Sequence, residues 1–337
     1  MNEVVFEAAG ARILVTGATG LIGGGLARRL LNLDAHVCAL VRKPADAQRL
    51  RGEGMEVVLG DLTDAASLAA AVKGCDAVAH FAGALGREVT PWAAYMAVNV
   101  EGTRGLLAAA IESGVGRFLH ASSAWAYGFD AGPGTDEHCS PCLCGDPYCD
   151  TKLLSQNIVL DAARQGLISA VVIQPSQIYG PNDRTWTAIP LRMMQRRMMV
   201  VPGRDGGRIQ PLFVADVVEG ALAALQRGES DQCYILCGEQ ELSMREFFTR
   251  YLAMGTRQRR LLTVPRGVLL GLAELSEPLG RIMPRALLVT TTAVKGTSLM
   301  VTYSGAKARE ELGFVPQVGL DEGMAAVREW ALRERLL

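Results

Sequence analysis

Tyr148 and Lys152 stand four residues apart at the start of a stretch whose apolar periodicity predicts a helix from Tyr148 to Gln165. That spacing places both side chains on one helical face. A free phenol, with a pKa of about 10, is a poor acid or base at neutral pH, and an ammonium close by favours the phenolate. A tyrosine tuned in this way can pass a proton to or from a substrate oxygen while a hydride moves to or from a nicotinamide. Taken alone, such a pair is also what an accidental surface pair looks like, so its meaning depends on what surrounds it.

A second constellation lies near the N-terminus, in Gly17-Ala18-Thr19-Gly20-Leu21-Ile22-Gly23. Three glycines at this spacing between a strand and a helix serve a tight turn, a close backbone approach to a pyrophosphate, and close packing of the helix on the strand. A helix opening at Leu21 then aims its free amides and positive dipole end at the phosphates. Gly17, Thr19, Gly20, Leu21, Ile22 and Gly23 are therefore the expected cradle of a dinucleotide. The second strand, His36 to Val41, ends in Arg42 and Lys43. Basic residues there accommodate the extra phosphate of NADP, where an acidic residue would favour NAD, so the reading is NADP in preference to NAD. The alternative is that Arg42 and Lys43 only solvate the strand end. Asp61, in Gly60-Asp61-Leu62, follows the third strand and either contacts the adenine, with Leu62 beside it, or caps the helix from Ala65.

The elements that must position these residues alternate. Strands are expected at Ile13–Val15, His36–Val41, Val57–Leu59, Ala77–His80, Arg117–His120 and Ala170–Gln174. Helices are expected at Leu21–Leu31, Ala65–Val72, Trp92–Ser113 and Tyr148–Gln165. Continuously apolar strands separated by helices imply an α/β fold with a doubly wound parallel sheet of the Rossmann type, covered on both faces. After Pro175 the alternation weakens, and Gly, Pro, Met and Arg become frequent through Gly207. The expected division is a dinucleotide-binding domain over 1–178 and a smaller substrate domain over 179–337. The strand Cys233–Leu236 is expected to return to the main sheet, which makes the second domain discontinuous in sequence. Beyond it lie a mixed apolar segment, Leu261–Met283, and a helix at Glu322–Arg335.

Bulk composition narrows the partners. The 337 residues are 49% hydrophobic and 20% charged, a globular composition that excludes a disordered or fibrous chain. A formal net charge of -1 offers no global attraction to nucleic acid, so any phosphate binding is local. Met1–Gly10 lacks the pattern of a secretory signal, and Leu261–Leu275 is interrupted by Pro265, Arg266 and Glu274 and falls short of a membrane span. A cytoplasmic protein without an integral membrane segment is expected; a weak peripheral contact of Leu261–Leu275 with a membrane surface is the alternative. Eight cysteines are present. Cys139, Cys142, Cys144 and Cys149 cluster around Tyr148, but their irregular spacing does not read as a metal site, and bound metal would enclose a hydroxyl that must stay free. No metal is expected; an inert, redox-sensitive or substrate-lining loop remains.

The succession of motifs then goes further than any one of them. The Gly17 loop is followed by Gly60-Asp61-Leu62, His80-Phe81-Ala82-Gly83, Asn99-Val100-Glu101-Gly102-Thr103, Ser122-Ser123-Ala124-Trp125-Ala126-Tyr127-Gly128, Tyr148 with Lys152, Gln174-Pro175, Tyr179-Gly180-Pro181 and Phe213-Val214-Ala215-Asp216-Val217. Tyr303-Ser304-Gly305-Ala306-Lys307 and Glu311-Leu312-Gly313-Phe314 close the series. This order resembles the extended short-chain dehydrogenase/reductase superfamily, in its NAD-dependent epimerase/dehydratase family and the 3β-hydroxysteroid dehydrogenase-like branch. The resemblance implies that Ser123 hydrogen-bonds the reacting oxygen, with Ser122 as the fallback. It makes Tyr148 the acid/base and gives Lys152 the double task of tuning it and holding the nicotinamide ribose. It puts Asn99 near that lysine. It has His80, Ala82 and Gly83 lining the cofactor, and Pro175 and Gln177 beside the nicotinamide. It further implies a homodimer joined through Trp92–Ser113 and Tyr148–Gln165.

Departures from the family choose among its branches. Dehydratases of this kind place an Asp-Glu pair just after the serine, where this chain has Ala124 and Trp125. Epimerases that take nucleotide sugars carry an arginine for the diphosphate at the place of Ile209, with Arg208 here one residue away. Met193, Met194, Met198, Met199 and Val268-Leu269-Leu270-Gly271-Leu272 make the second domain apolar, as substrate wall or as core. The expectation is an NAD(P)-dependent oxidoreductase interconverting a secondary alcohol and a ketone on an apolar, sterol-like or aromatic small molecule. The alternatives are a nucleotide-sugar 4-epimerase with bound NAD and a non-catalytic NAD(P)-binding regulatory protein.

Overall fold

The computed structural model describes residues 6–85, 91–196, 199–255, 260–276 and 290–337, and the helical backbone of 277–282. Met198 and Met283 fall outside the described residues. The first half alternates as expected, with one helix, α2, added to the pattern: β1 (Arg12–Thr16), α1 (Leu21–Leu31), β2 (His36–Val41), α2 (Pro44–Gly52), β3 (Glu56–Leu59), α3 (Ala65–Val72) and β4 (Ala77–His80). The helix expected over Trp92–Ser113 is instead three segments, α4 (Trp92–Tyr95), a π-helical turn over Met96–Glu101, and α5 (Gly102–Glu112). The wide turn carries Asn99, and π turns of this kind concentrate at functional sites. Then come β5 (Arg117–Ala121), α6 (Pro147–Arg164) and β6 (Ser169–Pro175).

Seven strands form one sheet, in the order Gln232–Leu236, β6, β5, β4, β1, β2, β3, and every pairing is parallel. Chain order reverses between β1 and β4, whose last residues, Thr16 and His80, are partners in register. Ligands of open parallel sheets bind in the crevice at such a switch point. Alternate residues of each strand feed opposite layers. Ile13 and Val15 pack with Leu26 and Leu30 of α1, whereas Leu14 packs with Val78, Leu106 and Val159 on the other face. The long apolar runs in the sequence are the price of being covered on both sides.

The second half is built from smaller pieces: α7 (Ala188–Gln195), α8 (Val214–Arg227), α9 (Met244–Met254), α10 (Arg266–Ile282), α11 (Thr291–Thr297), α12 (Ala306–Leu312) and α13 (Leu320–Arg333). α8 packs on the main sheet beside α1, and the guanidinium of buried Arg117 takes the carbonyls of Leu225 and Ala224 at its C-terminus, at 3.0 and 2.9 Å. A separate apolar cluster gathers Met194, Met199, Met244, Phe247, Tyr251 and Met324. Met194 and Met199 are thus core residues, filling irregular space as methionine does. α10 buries Leu269 and Ala273 and exposes Val268, Leu272 and Leu275. No helix among the described residues is long and apolar enough to cross a membrane.

Candidate active site

The glycine loop is shaped by contacts that only glycine permits. Gly17 has φ +73°, and a Cβ there would sit 2.7 Å from the backbone of Phe81 and Ala82. A Cβ on Gly23 would meet the Gly17 carbonyl oxygen at 2.5 Å. The turn from β1 therefore runs against the end of β4 while α1 closes on the turn. Gly20 caps α1 without a side-chain hydrogen bond, and its first turn holds no acidic residue. Thr19 and Gly20 are exposed, with Leu21 and Ile22 half-buried behind them. A helix N-terminus left uncapped and uncompensated in an exposed glycine turn fits the pyrophosphate of a dinucleotide.

Behind the loop, a chain of buried hydrogen bonds ties β1, β4, the π turn and α6 together. The Ala82 amide donates to Thr16 Oγ1 at 3.2 Å, and Thr16 Oγ1 lies 2.7 Å from His80 Nδ1. His80 Nε2 lies 2.9 Å from Thr103 Oγ1, which donates to the Asn99 carbonyl at 2.6 Å. Because the Thr103 proton is committed to Asn99, His80 donates from Nε2 and accepts from Thr16 at Nδ1. Burial, with Lys152 nearby, pushes the imidazole down to about 3, so it is neutral. Both ring nitrogens are occupied, so the His80 side chain braces the site from below. Asn99 then receives the Ala84 amide at Oδ1 (2.6 Å) and donates to Thr151 Oγ1 (3.1 Å) on α6.

On α6, Asp146 accepts from the amides of Tyr148 and Cys149 and so fixes where the helix begins. Lys152 runs inward from the next turn and donates to the Ala121 carbonyl at 2.8 Å. A Cβ added to Gly83 would stand 3.4 Å from Lys152 Nζ and 3.1 Å from Asn99 Oδ1, so the absent side chain leaves room directly against the ammonium. Burial pushes this lysine down to about 8, with no carboxylate to offset it. A buried ammonium whose described bond goes to one neutral carbonyl has donors left for ligand hydroxyls, as a ribose would offer. Tyr148 hydrogen-bonds Ser123, and burial pushes its phenol up to about 12 in spite of that bond. Lys152 was expected to draw the phenol down; it points instead to Ala121, so Tyr148 is held as a neutral acid. Ser123 also receives the Trp125 amide at 3.2 Å, while Ser122 is directed to the Lys152 carbonyl at 3.4 Å.

Trp125 itself was not expected at the site. Its ring meets Tyr148, Trp186 and Phe129 edge to face, at centroid distances of 6.4, 6.3 and 5.8 Å. Trp186 comes from a loop ahead of α7, and nothing in the sequence couples it to Trp125. Pro175 ends β6, and the buried Gln177 beyond it accepts from the Gln210 amide at 3.4 Å.

Beyond β2, Arg42 is 72% exposed and lies 3.8 Å from Asp61. Asp61 accepts from the Thr63 amide and hydroxyl, both at 2.9 Å, which lower its carboxyl below the usual range. It does not cap the following helix; Asp64 does, accepting from the Ser67 amide at 3.0 Å. Lys43 is exposed, and Leu62 is buried under α3 and α5. Among the cysteines, the Cys149 thiol donates to Cys144, while Cys142 faces the Tyr127 carbonyl at 3.5 Å. No cluster of His, Cys, Asp or Glu suited to a metal ion occurs among the described residues.

Residues 13–237 match the model of the NAD dependent epimerase/dehydratase family. The chain is 30% identical to a 4-hydroxy-2-methyl-3-oxo-4-farnesyl-3,4-dihydroquinoline-1-oxide ketoreductase of Stigmatella aurantiaca, covering 94% of this chain and 96% of that one. It is also 30% identical to sterol demethylase protein B of Methylococcus capsulatus, covering 90% and 93%. Among solved structures, that of gox2253 superposes with a TM-score of 0.80 at 27% identity, over 97% of this chain and 99% of that one.

Proposed function

The chain belongs to the NAD-dependent epimerase/dehydratase family, and on that premise we propose that it is an NADP-preferring oxidoreductase interconverting a secondary alcohol and a ketone on an apolar, sterol-like or aromatic molecule. One observation carries the reading: a buried lysine with donors to spare, beside the gap at Gly83, lies one helical turn from a neutral tyrosine bonded to Ser123. In this reading Gly17, Thr19, Gly20, Leu21, Ile22 and Gly23 hold the pyrophosphate, Arg42 and Lys43 the ribose phosphate, and Asp61 with Leu62 border the adenine. Lys152 holds the nicotinamide ribose, and Ala82, Gly83, Pro175 and Gln177 flank the ring. The bound nicotinamide supplies or accepts the hydride.

Tyr148 and Ser123 do the rest. Ser123 donates to the substrate oxygen and so orients the carbonyl or carbinol. Tyr148, protonated at neutral pH, delivers its proton to the oxygen in the reductive direction and takes it back in the oxidative one. The Ser123 hydroxyl, hydrogen-bonded to Tyr148, stabilises the phenolate that forms. Asn99, held by Ala84 and Thr151, keeps the π turn and α6 in step.

An apolar substrate is supported by the relatives named as acting on a farnesylated quinoline oxide or as a sterol demethylase protein. It is supported too by Arg208, which pairs with Glu241 at 3.3 Å and does not stand free for a diphosphate, and by Ile209, which is fully buried. We further read the protein as a cytoplasmic homodimer joined through α4–α5 and α6, where Trp92 is 45% exposed.

The test is a thermal-shift titration with NADP and NAD, followed by turnover with ring ketones, secondary alcohols and UDP-sugars. The reading expects stronger stabilisation by NADP and reduced-cofactor oxidation with ring ketones. Epimerisation of a UDP-sugar with co-purifying NAD would replace it by the epimerase reading. Tight cofactor binding with no hydride transfer to any member would replace it by a regulatory one.

A further inference from the structure

Trp125 touches both the assigned proton donor and the serine assigned to orient the substrate oxygen: its amide donates to Ser123 and its indole lies edge-on against the ring of Tyr148. Its other edges are fixed from the second half of the chain. Trp186 meets it at an interplanar angle of 89°. α11 brings Gly296 so close that a Cβ there would stand 2.8 Å from Trp125 Cη2 and 3.1 Å from Cζ2. Any side chain at 296 would push the indole aside, so the glycine is a packing requirement of the tryptophan's position. Phe129, with Lys295 Nζ 5.6 Å from its ring centre, closes the remaining flank. Trp125, Trp186 and Tyr148 all keep part of their surface accessible. An indole immobilised on three sides and partly open beside the proton donor is a rigid wall whose edge and face prefer another ring over a flexible chain.

We propose that Trp125, held by Gly296 and Trp186, is the specificity-determining residue of this site, and that it selects a ketone or alcohol carried on a flat aromatic or fused-ring body over one on an acyclic chain. The inference rests on the reading of Tyr148 as the proton donor and of an apolar ring substrate, and goes beyond it by naming the residue that selects rings over chains. An acyclic ketone of equal apolar area gains the same desolvation, but no ring-on-ring contact, and loses more chain freedom against a rigid wall.

The experiment compares wild type, Trp125→Ala, Trp125→Phe and Gly296→Ala, with NADPH, on alpha-tetralone and on methyl octyl ketone, which has the same number of carbons. Two readouts are taken: the ratio of kcat/KM for the ring ketone to that for the chain ketone, and the calorimetric Kd of alpha-tetralone. The expected result is a ratio lowered by about tenfold in Trp125→Ala, an effect of the size of an aromatic pair, with Phe restoring most of it. Gly296→Ala, which displaces the indole without removing it, lowers the ratio in the same direction. An unchanged ratio and an unchanged Kd in Trp125→Ala would overturn the proposal. If neither ketone is turned over but Trp125→Ala still weakens alpha-tetralone binding about tenfold, the assigned chemistry fails and the aromatic selection stands.

Discussion

The two ends of the candidate site are made in different ways. At the dinucleotide end, the shape is set by main chain against main chain: Gly17 against Phe81 and Ala82, Gly23 against the Gly17 carbonyl, and Thr16 and His80 in register beneath them. At the end proposed for the substrate, the shape is set by side chains from distant segments, with Trp125, Trp186 and Gly296 meeting at a point none of them specifies alone. A ligand shared across a family can be met by backbone geometry, and that geometry demands glycine at given positions. A ligand peculiar to one member must be met by side chains, which any loop can supply.

Changes at the two ends should therefore behave differently. Gly17→Ala puts a methyl into main-chain atoms at a positive φ, and is expected to cost roughly 3–5 kcal/mol of stability and to abolish cofactor binding together. Urea unfolding and an NADP thermal shift check both halves of that statement. Met244→Ala, in the separate core under α9, should cost about 2–5 kcal/mol but leave the NADP Kd unaltered once the variant is folded. A matching loss of cofactor affinity would break the separation of the two regions.

The Lys152 ammonium, with a value of about 8, predicts that kcat/KM falls as pH rises through that value, and that Lys152→Met removes the limb. Tyr148, at about 12, contributes no limb below pH 10. The stability effect has the opposite sign. Because the folded value lies below the ordinary 10.5, the native chain sheds this proton first, and unfolding free energy rises between about 8 and 10.5 as far as this group acts. The smallest effect is at the surface: Arg42→Ala should cut the preference for NADP over NAD about tenfold, measured as a ratio of Kd values.

The same contrast explains how far the sequence could be read. α1, β2, α3 and β4 lie where the apolar periodicity puts them, because a parallel sheet covered on both faces fills most of its strand positions with apolar residues. α2 carries no such pattern; only Ala47 and Leu50 are buried, and its one signal was Pro44 at its first position. The π turn at Met96–Glu101 keeps a helix-like periodicity, so the widening that sets Asn99 could not be seen. Tyr148, Lys152, Ser123 and Asn99 could be named as a set from the order of motifs, and the structure bonds Tyr148 to Ser123 and sets Asn99 and Lys152 on either side of Gly83, but the threonines that brace them, Thr16, Thr103 and Thr151, could not. A polar residue closing an otherwise apolar strand, as Thr16 does, was the available clue. Trp125 and Trp186 are sixty-one positions apart and joined only by packing.

The central claim is that one crevice holds NADP on the glycine loop and delivers a proton from Tyr148. Its most direct test is single-turnover oxidation of bound NADPH by a ring ketone in wild type and Tyr148→Phe, with the NADPH Kd measured on the same samples. The expected result is an unchanged Kd and a transfer rate lowered about 10²–10⁴-fold. An unchanged transfer rate in the variant would contradict it.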